Sequence, residues 1–92
     1  MIRLNVSLII EESERRKPLV EAATELVAFS LRDKGCISYD LYGSLTNDDR
    51  LMIIETWEDQ QALDAHMASD HFKRLSPVLH ELSTMTLEKF EF

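Results

Sequence analysis

Ile2, Leu4, Val6, Leu8 and Ile10 alternate with Arg3, Asn5 and Ser7, a period of two that predicts a β-strand at the start of the chain. The period then changes. Leu19, Val20, Ala23, Leu26, Val27, Ser30 and Leu31, widened by Ala22 and Phe29, form a broad helical stripe. Ser13 or Pro18 is placed to start that helix, and Gly35 offers a left-handed stop. Cys36 to Ser44 and Arg50 to Trp57 read as two strands joined through Thr46-Asn47-Asp48-Asp49, which is turn chemistry. Asp59 caps a second helix through Met67, with Ala62, Leu63, His66 and Met67 on one face. A helical turn is expected from Ser69 to Leu75, broken by Ser76-Pro77 and restarted from there to about Leu82. Met85 to Phe92 forms the last strand.

This order, βαββαβ, specifies an α+β domain of the ferredoxin-like kind over residues 1–92: a four-stranded antiparallel sheet with its helices on one face. Leu51-Met52-Ile53-Ile54 and Leu8-Ile9-Ile10 are unbroken apolar runs, whereas a sheet with one wet face alternates. One pair of helices covers one face only, so a homodimer packed through the other face is expected.

Charge and cysteine usage narrow the function classes. The net charge of −7 opposes a phosphate backbone or an anionic membrane, and no Lys/Arg run relieves it. Neither nucleic acid nor membrane is expected as a partner. Cys36 is the lone cysteine, which leaves no intrachain disulfide. No stretch is a signal peptide or a membrane span, so a cytoplasmic location is expected.

Gly35-Cys36-Ile37-Ser38-Tyr39-Asp40, then Glu55-Thr56-Trp57-Glu58-Asp59, then His66-Met67-Ala68-Ser69-Asp70-His71-Phe72 resemble the antibiotic biosynthesis monooxygenase (ABM) domain family. The likeness runs from the first strand to the last helix. Its most specific piece is Glu-x-Trp ending a strand, followed by a helix carrying His and by His-Phe five residues later. The resemblance implies a dimeric α+β barrel. The family's founding activity oxygenates polycyclic phenols to quinones with no metal, flavin or haem. Its relatives include quinol monooxygenases, haem-degrading monooxygenases and isomerases of small phosphorylated sugars, so fold alone does not fix the reaction. Where the haem-degrading members are similar, the haem-ligating histidine corresponds to Ser76, which removes the axial ligand.

Cofactor-free oxygenation needs a base near neutrality, a donor for the developing oxyanion and apolar walls. His66 and His71 are the candidate bases, and Asn5, polar among apolar strand neighbours, is the candidate anion-orienting group. Each also has a plainer reading: His66 as a packed core histidine, His71 as a solvated one, Asn5 bonded to a neighbour. Trp57, Tyr39, Phe72 and Glu55 are the candidate substrate contacts. Trp57 suits core or interface packing better than stacking on a substrate. Glu55, on the same strand face, is either a buried carboxylate with a raised pKa or half of a dimer-spanning ion pair, the second being the expected reading. His80 is expected at the surface. The resemblance implies no cofactor, and no metal set stands out, since His66 and His71 are five apart and not the four that stack on one helix face. The expected ligand is a small aromatic or enolisable molecule. A keto isomerase using the same base, with Arg3, Arg50 or Lys73 meeting any phosphate, and a non-catalytic ligand-binding barrel are the alternatives.

Overall fold

In the computed structural model, which describes Met1–Phe92, four strands form one antiparallel sheet: β1 (Ile2–Ile9), β2 (Cys36–Gly43), β3 (Arg50–Trp57) and β4 (Thr84–Glu91). Their order across the sheet is β2-β3-β1-β4, which puts the two most apolar strands in the middle. The register pairs Leu4 with Glu55 and Lys89, and Asn5 with Ile54 and Glu88. A bulge between Cys36 and Ser38 offsets the start of β2.

Alternation sorts the side chains cleanly. Ile2, Leu4, Val6 and Leu8 of β1 and Leu51, Ile53, Glu55 and Trp57 of β3 are buried under the helices. Arg3, Asn5, Ser7, Met52 and Ile54 take the opposite, outer face. The apolar runs therefore divide between the two faces. Within one chain no helix covers the outer face, where Ile9, Met52 and Ile54 are half-buried and Tyr42 and Phe90 exposed. The four-stranded antiparallel sheet with flanking helices agrees with the sequence.

Three α-helices cover the inner face. A short 3₁₀ turn at Ser13–Arg15 leads into α1 (Arg16–Ser30), where Pro18 lies in the first turn and its missing N–H is harmless. Leu19, Ala23, Leu26 and Ser30 are its buried stripe, narrower than the sequence pattern, and Phe29 and Leu31 stay exposed. The helix ends before Gly35, which lies in the turn into β2 at φ +82°, not at the helix stop itself. Helix α2 (Gln60–Met67) is capped by the Asp59 carboxylate, which accepts from Ala62 N.

The last helix departs from expectation. Instead of two pieces, α3 runs unbroken from Asp70 to Leu82 with Pro77 inside it, capped by Ser69. An interior proline costs roughly 3 kcal/mol. Leu75 and Leu79, on either side of it, are both buried, and each contributes roughly 1.5–3 kcal/mol by leaving water, which offsets that cost. No helix is long and apolar enough to cross a membrane.

Candidate active site

Between the sheet and the helices lies a cavity of about 180 Å³. Leu4 and Val6 of β1, Tyr39 of β2, Ile53 and Glu55 of β3, and Met85 and Leu87 of β4 form its floor. Leu26 of α1, Leu63, His66 and Met67 of α2, and Phe72, Ser76, Leu79 and His80 of α3 form its roof. Most of this lining is apolar. No arginine or lysine reaches it.

His66 is the buried polar group of the roof, 1% exposed. Its Nδ1 lies 2.8 Å from Asp33 Oδ2, while its Nε2 is buried and has no partner. Trp57 packs against the imidazole with ring centres 4.6 Å apart, and Phe72 meets it edge-on at 5.1 Å. Burial lowers the His66 pKa below its ordinary 6.5, opposed by the hydrogen bond and charge of Asp33. The ring is therefore neutral at pH 7. With Nδ1–H donated to the carboxylate, the lone pair resides on Nε2.

His71 does not line the cavity. Its Nε2 lies 2.8 Å from the same Asp33 Oδ2, and its ring stacks on Phe29 at 5.7 Å. Arg32 and Arg74 in turn lie over the Phe29 ring. One carboxylate oxygen thus receives both histidines. Asp33 stands in the turn after α1, held where Cys36 N donates to Asp33 O at 3.1 Å and Glu58 N donates to Gly35 O at 2.8 Å. Sequence reasoning missed Asp33, since 33 residues of chain separate it from His66 and a turn aspartate is commonplace.

The ligating atoms of Asp33, His66 and His71 lie within 4.8 Å of one another, a set that could close on a divalent cation. The sequence reading, based on spacing along one helix, did not anticipate it, because the two histidines sit on different helices. The 2.8 Å separations are equally those of two N–H···O bonds, which satisfy both imidazoles without an ion.

Glu55 is 4% exposed and forms no ion pair. It faces the helices, so it cannot span an interface on the outer face, contrary to expectation. Its Oε1 accepts from Trp57 Nε1 at 2.9 Å. Burial pushes its pKa up to about 7, partly countered by hydrogen bonds from Trp57 and Tyr39. Burial also raises the Tyr39 phenol, with Glu55 adding to the effect, and lifts the Cys36 thiol to about 11, with Asp33 and Glu55 adding to it. Cys36 is therefore a poor nucleophile.

Tyr39, Phe72 and Glu55 line the cavity, whereas Trp57 is fully buried behind His66 and does not. Asn5 is the clear correction. Its neighbours Leu4 and Val6 reach the cavity, so strand alternation sends Asn5 to the outer face, where its Oδ1 is buried without a partner. No asparagine anion hole exists here. Arg3, on the outer face, donates to Thr56, Arg50 lies 3.7 Å from Asp49, and Lys73 is exposed; none can meet a phosphate in the cavity. His80 is exposed as expected but also stands at the cavity rim, one turn after Ser76, a position legible only if α3 is read through Pro77.

A model of the antibiotic biosynthesis monooxygenase family matches residues 1–77. A crystal structure from Bacteroides thetaiotaomicron, described as a conserved protein of unknown function and a possible oxidoreductase, is 46% identical. It covers 99% of this chain and 96% of its own, with a TM-score of 0.94. A crystal structure described as an antibiotic biosynthesis monooxygenase is 26% identical and covers 100% of this chain and 98% of its own, with a TM-score of 0.90. YcnE of Bacillus subtilis (strain 168), a monooxygenase by assignment, is 28% identical over 60 residues, which is 65% of this chain. The match spans 63% of YcnE, less than two thirds of that relative's length.

Proposed function

Because the chain belongs to the antibiotic biosynthesis monooxygenase family, we propose that it is a cofactor-independent oxygenase of a small, neutral phenol, quinol or enolisable compound, with His66 as the base. The state of the His66 ring carries this reading: Nδ1 is held by Asp33, and Nε2 is buried and unpartnered on the wall of an apolar cavity. The substrate hydroxyl gives its proton to Nε2, and Asp33 stabilises the imidazolium that forms. The resulting anion is electron-rich and delivers electrons to O₂. One oxygen atom ends on a ring carbon and the other leaves as water, with the substrate supplying both electron pairs. His71 touches the site only through Asp33 and acts as a positioning residue.

Cavity size and chemistry support the substrate class. A dry cavity of roughly 150 Å³ accommodates benzene, so about 180 Å³ suits one substituted ring. Tyr39 and Phe72 are its aromatic walls, and the absence of a lining cation weighs against a phosphorylated sugar. The working unit in this reading is a homodimer through the outer face of the sheet, supported by the half-buried Met52 and Ile54 on that face.

The test is oxygen uptake with hydroquinone and substituted phenols. Wild type consumes oxygen and His66→Ala does not. Turnover that persists without oxygen identifies a proton-transfer isomerase, and ligand-induced stabilisation without product identifies a sequestering barrel; either outcome removes the oxygenase reading.

A further inference from the structure

A phenolate in this cavity needs a hydrogen-bond donor, and with Asn5 on the far side of the sheet the expected one is missing. Building on the proposed role of His66, we propose that Glu55 is a second catalytic group, whose carboxylic-acid form donates a hydrogen bond to the substrate oxygen as His66 removes that oxygen's proton.

The geometry singles out Glu55. It lies on the cavity floor while His66 lies on the roof, and it is 4% exposed. Trp57 Nε1 donates to its Oε1 at 2.9 Å, which makes that atom the carbonyl-like oxygen and Oε2 the one to bear the proton, with the Tyr39 phenol as the second neighbour of the carboxyl. The same Trp57 ring packs 4.6 Å from the imidazole, so one immobile side chain braces both groups. No proton is consumed: the substrate's proton moves to Nε2, and the Glu55 proton is shared with the oxyanion and kept.

The surroundings favour the acid form. From β2, Tyr39 and Cys36 face Glu55, and both remain protonated; from α2 and α3 come His66 and His80. The inward side chains of β1 are aliphatic, and the buried stripe of α1 carries no ionisable group. On β4, Lys89 and Glu91 answer each other at 3.7 Å. With no cation facing it, burial keeps the carboxyl protonated up to about pH 7. A carboxylic acid held neutral in an apolar pocket is an effective oxyanion donor.

The test uses 3-nitrophenol, whose free hydroxyl ionises well above the pH at which Glu55 does and whose phenolate is read directly by absorbance, titrated into wild type, Glu55→Gln, Glu55→Leu and His66→Ala. Wild type is expected to bind it as the phenolate, with affinity falling above about pH 7 as Glu55 ionises. Glu55→Gln keeps a donor and the Trp57 partner, so it should bind without that fall. Glu55→Leu should bind about 10–100-fold more weakly. Wild-type affinity for Glu55→Leu, or the same alkaline fall in Glu55→Gln, overturns the proposal while leaving His66 in place. No phenolate formation by wild type, or full formation by His66→Ala, overturns the base assignment itself and this role with it. Should Glu55→Leu fail to fold, the pH profile of the isosteric Glu55→Gln decides alone.

Discussion

Asp33 Oδ2 lies 2.8 Å from His66 Nδ1, although one residue belongs to the turn after α1 and the other to α2. A second histidine, His71, meets the same oxygen at the same distance. The bond to Asp33 selects which nitrogen of His66 faces the cavity as a base, and it positions a charge to stabilise the imidazolium. Of these three residues only His66 reaches the cavity. In the proposed reaction they form one acid–base unit with one working end.

That asymmetry separates the two histidines kinetically. His66→Ala should lower kcat/KM for oxygen uptake by about 10²–10⁴-fold. His71→Ala removes one hydrogen bond to Asp33 and should cost about tenfold. Asp33→Ala combined with His71→Ala should cost little more than Asp33→Ala alone, because His71 acts through Asp33. Equal losses for the two histidine variants would contradict the assignment.

Glu55 predicts an unusual stability profile. Its pKa is about 7 in the folded chain against an ordinary 4.5, so between these values the folded chain holds a proton that the unfolded chain has lost. Stability contributed by the acid form is complete below pH 4.5 and declines as pH rises through 7, by about 3 kcal/mol. His66 acts in the opposite sense: its lowered pKa makes the unfolded chain the better proton acceptor, so stability declines as pH drops below 6.5. Urea midpoints measured from pH 4 to 8 should show Glu55→Gln gaining on wild type as pH rises. A constant difference would mean that Glu55 does not titrate across this window.

The Asp33, His66 and His71 set permits a chelator experiment. Under the cofactor-independent reading, dialysis against EDTA leaves oxygen uptake unchanged. Added Zn²⁺ should inhibit, because a cation drawing on the same atoms occupies the lone pairs and displaces the protons of the hydrogen-bonded arrangement. Activity lost to the chelator and restored by a metal salt would reverse the reading.

The outer face of the sheet makes a prediction that leaves the cavity untouched. Ile54 and Met52 lie there on a central strand, flanked by Ser7 and Asn5 of β1 and by Asp40 and Tyr42 of β2. Ile54→Lys should convert a dimer into monomers in sedimentation velocity without opening the helix-covered core. Wild type sedimenting as a monomer at micromolar concentration would remove the dimer.

Much of the fold is legible because β1 alternates, β3 is a short apolar run after a turn, and Asp59 is an unambiguous cap. Pro77 defeats the local rule that proline ends a helix, because burial of Leu75 and Leu79 makes the helix worth continuing past it. Only in the continuous helix do Phe72, Ser76 and His80 share one face of α3. Asn5 differs in kind: its polarity is visible in the sequence, but its side of the sheet depends on which face the helices cover. Asp33 left no trace at all, since its role comes from the long return of the chain through β2 and β3 to α2.

Gly35, at φ +82°, rests so close to Ala62 that a methyl group on it would overlap the alanine side chain. This bare point of contact sets the gap between the turn bearing Asp33 and the helix bearing His66. Any larger residue at position 35 acts as a shim, lifting the carboxylate out of reach of the imidazole. In the proposed reaction the His66–Asp33 bond is therefore calibrated from outside the cavity, by a residue with no side chain, at a position that does not line it.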